Sequence, residues 1–532
     1  MTINRHLPAI VILCVVIGVT WVAGRVATGD AAHLLGISDR LAWELSSGQI
    51  GLFWVNYSSL LAPHPPAGYV LPMFFYSLGL DQIAPIGTGA VAMILIWRGM
   101  VLLSDDKTKS PWVALLLVFA TPFAWQQIEN TTWDLLAAAA VMMSIGHLSA
   151  SNGLSNRHHT KRFGVWMGIG FLTKYTFPLF MIIPVTLTAF SVVKHRRFLE
   201  LGIAIGLFLL VASPWYGTHL TGVLPYLFDS LNSDSTMVDG GSFTGSSNTA
   251  YYLSVFKDAY GWPTTILILS LGACGLSTPN GRLTFLSAVG GVVILTFMGQ
   301  QQPRYMFPSL PLLAVGATCG LGCLRGNVLG QKLVSITLIA LAIIQGGTTA
   351  RASSSNQSVP AERAHSHGAW GLSEWGEWPH AAESFQPTSL HPEIWKIDQA
   401  IELLASSGAT DDATVGIMLE EFGGELGFGI FLQRAEALGH HWNFASIVPS
   451  PNNNDRRAQI FTGPFAPSDF GPAQFTLVYA AYRPIDSGRD TWLEYMNAEE
   501  LQRITLPNEF IGRILRVDVA TDREDLGLDG RP

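Results

Sequence analysis

A chain of 532 residues in which 49% are hydrophobic and only 13% charged carries about half the charge of an ordinary soluble domain, whose charged share is about 25%. The mean hydropathy of +0.32, with apolar residues gathered in long blocks between short polar loops, argues against a soluble core and matches repeated bilayer crossings of about 20 residues. A formal net charge of -8 argues against the basic face of a nucleic-acid binder, so charge here informs topology.

The first block, roughly 7–24, reads as a retained signal-anchor helix because many further apolar blocks follow it. Further crossings are expected at roughly 84–104, 111–127, 133–149, 163–173, 175–193, 199–216, 262–277, 283–299, 305–323 and 331–349, about eleven in all. The loops after alternate crossings hold the basic residues: Lys107 and Lys109; Arg157, Lys161 and Arg162; Lys194, Arg196 and Arg197; Arg282; then Arg325 and Lys332. The positive-inside rule makes these loops cytoplasmic, with the N-terminus, and places 25–83, 217–261 and everything after about 350 outside.

Gly68 to Leu80 cannot be a full crossing without inverting every later loop, and it is short for one, so it is expected to lie on the membrane surface after Pro65-Pro66. Phe163 to Val193 is too long for one crossing and too short for two of about 20 residues, yet both flanks are basic. Two abbreviated helices turning near Lys174 satisfy both conditions. An intramembrane lysine is a candidate functional cation, with snorkelling as the alternative. Asp229, Asp234 and Asp239 recur beside Ser and Gly in 217–261, a solvated loop pattern.

All four cysteines fall in apolar blocks, so no structural disulfide is expected, and Cys319 and Cys323 read as packing residues. From Ala350 the chain turns polar, with a Ser- and His-containing linker over 351–391 and a small soluble domain over 392–532. Within it Thr414 to Leu419 and Phe475 to Tyr482 read as strands and Gly424 to Leu438 as a helix, the pattern of an α/β module. The expected fold is an α-helical polytopic membrane domain over 1–350, with a large first outer loop bearing surface helices, followed by this α/β extracytoplasmic domain.

Chemistry concentrates at the outer face. Asp30 follows the first helix directly, where a carboxylate at a protected boundary suits a general base that removes an acceptor proton. A lipid-phosphate leaving group needs cations or donors to meet its developing charge, and Lys174, Arg304 and His64 are the available groups.

At these residues the chain resembles the membrane-embedded C-type glycosyltransferase superfamily, nearest its protein O-mannosyltransferase and aminoarabinose-transferase-like branch. The matching elements run in order: Asp30 after the first helix, His64-Pro65-Pro66, Thr121-Pro122 with Trp133-Asp134, Leu172-Thr173-Lys174-Tyr175-Thr176, Pro214-Trp215, and Arg304-Tyr305-Met306-Phe307-Pro308. They cover roughly residues 10–325. The resemblance implies an inverting transfer from a polyprenyl-phosphate sugar, with Asp30 as base and no nucleotide sugar involved; a protein, glycolipid or envelope-glycan acceptor, no cofactor and no nucleic acid are expected. It implies donor-phosphate binding by Lys174, Arg304 and His64, supported by Asp134, His33, Glu129, Tyr69 and Tyr305.

Many relatives carry Asp-Glu where this chain has Asp30-Ala31, and Glu44, Glu129 or Asp134 stand as substitutes for the second acid. A divalent metal held by Asp30, His33 and His64 is the less favoured arrangement. Asp134, at the outer start of a helix, has two readings, as a helix-dipole partner and as an orienting group for catalysis. A multi-pass secondary transporter in the inner membrane is the alternative from another functional class. The polar signals of this chain cluster in one outer loop, rather than at a midplane site between inverted repeats.

Overall fold

The computed structural model describes residues 3–23, 29–60, 64–80, 83–104, 111–129, 133–232, 248–298, 303–326, 328–354, 397–409, 414–419, 431, 434–435, 437–447, 475–481, 498–505 and 511–517. In chain order the first helices are α1 (Ile3–Ala23), α2 (Gly29–Ser46), α3 (Ile50–Leu60), α4 (Ala67–Ser77), α5 (Ala84–Leu103), α6 (Pro111–Phe119), α7 (Pro122–Glu129) and α8 (Trp133–Ala150). There follow α9 (Arg157–Phe171), α10 (Phe177–His195), α11 (Phe198–Asn232), α12 (Asn248–Gly275), α13 (Pro279–Thr296), α14 (Ser309–Leu321), α15 (Val328–Ser354) and α16 (Ile397–Ser406). The chain divides into two compact units, one of Met1–Ala27 with Leu61–Ser389, the other of Thr28–Leu60 with Leu390–Pro532.

The first unit is helical. Among the described residues five helices are long and apolar enough to cross a membrane: α5, α8, α10, α11 over Phe198–Pro225, and α15 over Val328–Gly347. The chain is a membrane protein by these helices. Their burial grades from centre to rim: 83% of the α8 window is buried in the unit, against 17% for each of α11 and α15. The rim helices show apolar side chains such as Leu209, Leu210, Phe228, Ile336 and Ile343 outward, which is stable against lipid and not against water. The run Ala137 to Ala140 lets neighbours approach α8 closely, and α5, α9 and α14 pack on it.

Three helix starts follow from local chemistry. Asn156 caps α9, its side-chain oxygen accepting from His158 N at 3.1 Å and His159 N at 3.4 Å. Thr278 accepts from Gly281 N at 3.1 Å ahead of Pro279 at the start of α13. Pro178 stands within the first turn of α10, where its missing N–H costs nothing. Between α9 and α10 the chain turns over Leu172 to Thr176, with Leu172 N bonded to Gly168 O at 3.0 Å and Phe177 N to Lys174 O at 3.1 Å. Gly170 makes this turn possible, because a Cβ there would overlap the Phe177 ring.

Several expected boundaries differ from the structure. The block 111–127 is two helices, because Pro122 has no N–H to continue the ladder of α6 and Thr121 caps the restart, accepting from Ala124 N at 3.2 Å. The expected outer loop 217–261 is instead largely helical: α11 continues to Asn232 across Pro214 and Pro225, and α12 begins at Asn248. Its expected end does mark a break, since Gly261 (φ 70°) kinks α12 just before Pro263. The block 305–323 begins as a 3-10 turn, Pro303–Met306, before α14. Asp234, Asp239, the linker beyond Ser354 and most of 424–438 lie outside the described residues.

The second unit carries a five-stranded sheet of β1 (Thr414–Leu419), β2 (Asn443–Ile447), β3 (Phe475–Ala481), β4 (Ala498–Thr505) and β5 (Ile511–Val517), in the order β2-β1-β3-β5-β4. β1 runs parallel to β2 and β3, and β5 antiparallel to β3 and β4. α16 buries Ile397, Ala400, Ile401 and Leu404, one face at helical spacing, and its Asp398 takes a two-pronged bond from Arg434 at 2.7 and 2.6 Å. Where the sequence reading assigns 25–83 to the transmembrane domain, Thr28–Leu60, and with it α2 and α3, belongs to the unit that holds the sheet.

Candidate active site

The centre of the site is a buried carboxylate. Asp134 lies in the first turn of α8 with no exposure, and its Oδ2 accepts from Lys174 Nζ at 2.6 Å. Arg304 Nε stands 3.8 Å from the same oxygen. Lysine and arginine come from two different connections, the α9–α10 turn and the 3-10 turn before α14, so three segments distant in sequence meet at one atom. Tyr305 lies beneath both cations, 4.6 Å from Lys174 Nζ and 5.8 Å from the Arg304 guanidinium carbon to its ring centroid. The negative face of that ring favours positive charge where little water reaches it.

Asp134 Oδ1, Trp133 Nε1 and Thr176 Oγ1 are buried atoms with no hydrogen-bond partner among the described residues. The lysine side chain is 14% exposed and turns to the carboxylate rather than running to an interface.

Helix α4 is pinned to this cluster. Ala67 N, at the start of α4, donates to Leu172 O at 2.8 Å, fixing α4 on the turn that carries Lys174. Next along, Gly68 sits against the Trp133 indole so closely that a Cβ would overlap the ring. His64 stacks on the same indole at 5.1 Å and 30°, and buried Tyr69 meets it edge-on at 5.6 Å. Trp133 thus links the His64-Pro65-Pro66 element to Asp134, its neighbour in the chain. A further tie comes from Tyr216, whose hydroxyl donates to Phe171 O at 2.8 Å and holds the last turn of α9.

Lys174, Arg304, Asp134 and Tyr305 are therefore brought together, with His64 and Tyr69 one indole ring away. Asp30 and His33 belong to the first turns of α2 in the second unit, and Glu129 ends α7, but the side chains of all three lie outside the described residues. Among the described residues no group of three or more His, Cys, Asp or Glu is placed to hold a metal ion. Sequence reasoning missed Trp133 as a platform and Tyr216 as a brace. Both stand beside motif positions, Asp134 and Pro214-Trp215, which is the signal that points to them.

No protein-family model and no curated protein matches the chain. Solved structures do. The crystal structure of ArnT from Cupriavidus metallidurans bound to undecaprenyl phosphate is similar at a TM-score of 0.55 and 14% identity, over 96% of this chain and 98% of that one. The fold is shared with ArnT. ArnT in the apo state is similar at a TM-score of 0.54 and 14% identity, over 95% of this chain and 97% of that one. The resemblance read from the ordered motifs agrees with this likeness of fold. The likeness to ArnT spans nearly the whole of both chains.

Proposed function

We propose that this protein transfers a sugar from a polyprenyl-phosphate carrier to an acceptor at the outer face of the cell's inner membrane, with inversion at the anomeric carbon. Asp30 takes the acceptor proton as the nucleophile attacks, and the carrier phosphate leaves with the electron pair of the glycosidic bond. Lys174 and Arg304 meet the charge that grows on that phosphate, where fixed cations in a water-poor site stabilise it without reorganising. Asp134 orients the two cations, Tyr305 backs them, and His64 on Trp133 lines the approach. The N-terminus is cytoplasmic in this scheme, the bundle crosses about eleven times, and the sheet-bearing domain is extracytoplasmic.

The observation that carries the reading is the convergence of Lys174 and Arg304 on one buried carboxylate, inside a fold shared with a protein solved with undecaprenyl phosphate. Two cations gathered at the end of an apolar bundle suit a ligand with an anionic head and a hydrocarbon tail.

The test is mass analysis of polyprenyl-linked sugars in cells deleted for this chain. One lipid-linked sugar is expected to accumulate, to clear on complementation with the wild-type chain, and to persist with Lys174→Met or Arg304→Met. A lipid-linked pool unchanged by the deletion overturns the reading.

A further inference from the structure

The helix that carries Asp30 belongs to the same compact unit as the C-terminal domain. What joins it there is centred on Arg40, ten residues further along α2. Arg40 Nη1 donates to the carbonyl of His441 at 2.8 Å, two residues before β2 begins. Arg40 Nε donates to Glu44 Oε1 at 2.8 Å, and that same oxygen accepts from Asn56 Nδ2 of α3 at 2.5 Å. The Trp43 ring stacks on the His441 ring, centroids 3.8 Å apart and planes at 24°, while the guanidinium lies 4.9 Å over Trp43. Glu44 is fully buried and the Arg40 side chain only 13% exposed.

One guanidinium thus fixes α2 to itself, to α3 through Glu44, and to the segment leading into the sheet. A planar fork donates along several fixed directions at once, which an ammonium does not reproduce.

We propose that the C-terminal domain is a positioning element for the catalytic base, acting through Arg40, Trp43 and His441 on α2. This rests on the reading of Asp30 as that base. From Asp30 to Arg40 the helix spans about 15 Å, so a tilt of about 4° about the Arg40 end moves the helix backbone at Asp30 by about 1 Å. A misplacement of that size costs about 100-fold in rate. The domain needs no catalytic group of its own: its contribution is to hold the orientation of a short helix that begins at a chain crossing between two units. Arg40 is a positioning residue in this scheme, not a catalytic one.

The test uses the full-length protein in detergent, comparing Arg40→Ala and Arg40→Lys with wild type by backbone hydrogen exchange and by donor turnover. Arg40→Ala is expected to raise exchange at least tenfold over residues 29–46 while α8 and α10 keep their protection, and to lower kcat about 100-fold at unchanged donor KM. Arg40→Lys, which keeps the charge beside Glu44, is expected to fall between the two in both readouts and serves if the alanine variant does not fold. Wild-type exchange across 29–46 in either variant overturns the positioning role whatever the enzyme's chemistry. Raised exchange there with wild-type kcat overturns it as well. Failure of the underlying reading is separate, because it shows as turnover that survives Asp30→Asn.

Discussion

The two units each bury a carboxylate completely, and the two carboxylates are held in opposite ways. Asp134 is met by Lys174 and Arg304, residues 40 and 170 positions away, so its cluster exists only when α8, the α9–α10 turn and the turn before α14 are all in place. Glu44 is met by Arg40 one helical turn back and by Asn56 in the next helix, so it forms as soon as α2 and α3 pair. The first arrangement ties the chemistry of the bundle to its whole tertiary structure. The second fixes the direction of one helix and leaves the distant link, from Arg40 to His441, to the guanidinium's other edge. In both, the cation makes more than one interaction, which is what makes a buried charge tolerable.

The sharpest division between the regions comes from removing the proposed base itself. Asp30→Asn keeps the size of the side chain at the start of α2 and is expected to lower transfer by about 10²–10⁴ without changing thermal stability in detergent. The measurement is the clearance rate of the accumulated lipid-linked sugar in complemented cells. Transfer within threefold of wild type removes Asp30 from the mechanism.

Next in size is Asp134→Asn. Breaking a buried ion pair by neutralising one partner leaves the other charge desolvated, at a cost of about 3–5 kcal/mol. Here two cations lose the same partner, so a marked fall in melting temperature is expected together with loss of transfer. If stability holds while transfer is lost, the carboxylate acts in catalysis alone and the contrast between the two regions fails on its structural side.

How much of this was legible beforehand differs by element, for physical reasons. The turn near Lys174 followed from length and charge together: Phe163 to Val193 is too long for one crossing while basic residues on both flanks demand an even number, and the structure turns over Leu172 to Thr176. A short helix at Gly68 to Leu80 was visible for a similar reason, as a stretch too short to cross, and a helix forms over Ala67–Ser77. Helix ends within apolar blocks were not legible. At the α6–α7 break nearly every described side chain is buried, and along α11 the outward face is apolar, so polar periodicity, the usual marker, is missing at both. Prolines were poor markers of helix ends: Pro122 interrupts what looked continuous, while α11, expected to end near 216, runs on through Pro225.

At the site, Lys174, Arg304, Asp134 and Tyr305 were each named from motifs, but their meeting at one carboxylate oxygen is a property of tertiary packing that no spacing encodes. The same holds for Arg40 and His441, 401 positions apart. Glu44 drew attention only as a stand-in for a missing acid, whereas its i, i+4 relation to Arg40 was there to be read.

The smallest effect sharpens the comparison most directly. Glu44→Gln keeps an oxygen that accepts from Asn56 or Arg40 but removes the charge that strengthens both bonds, each of the kind worth about 1.5–3 kcal/mol. Because Arg40 still donates to the His441 carbonyl, the loss is expected to stay near the lower end of that range and to be local. Hydrogen exchange is expected to rise in α2 and α3 and to keep wild-type values in α8. Asp134→Asn, by contrast, is expected to raise exchange in α8, α10 and α14 together, because its partners enter from separate segments. Equal, bundle-wide effects from the two substitutions would mean that Glu44 also supports the bundle, and the distinction between a local brace and a tertiary keystone would have to be given up.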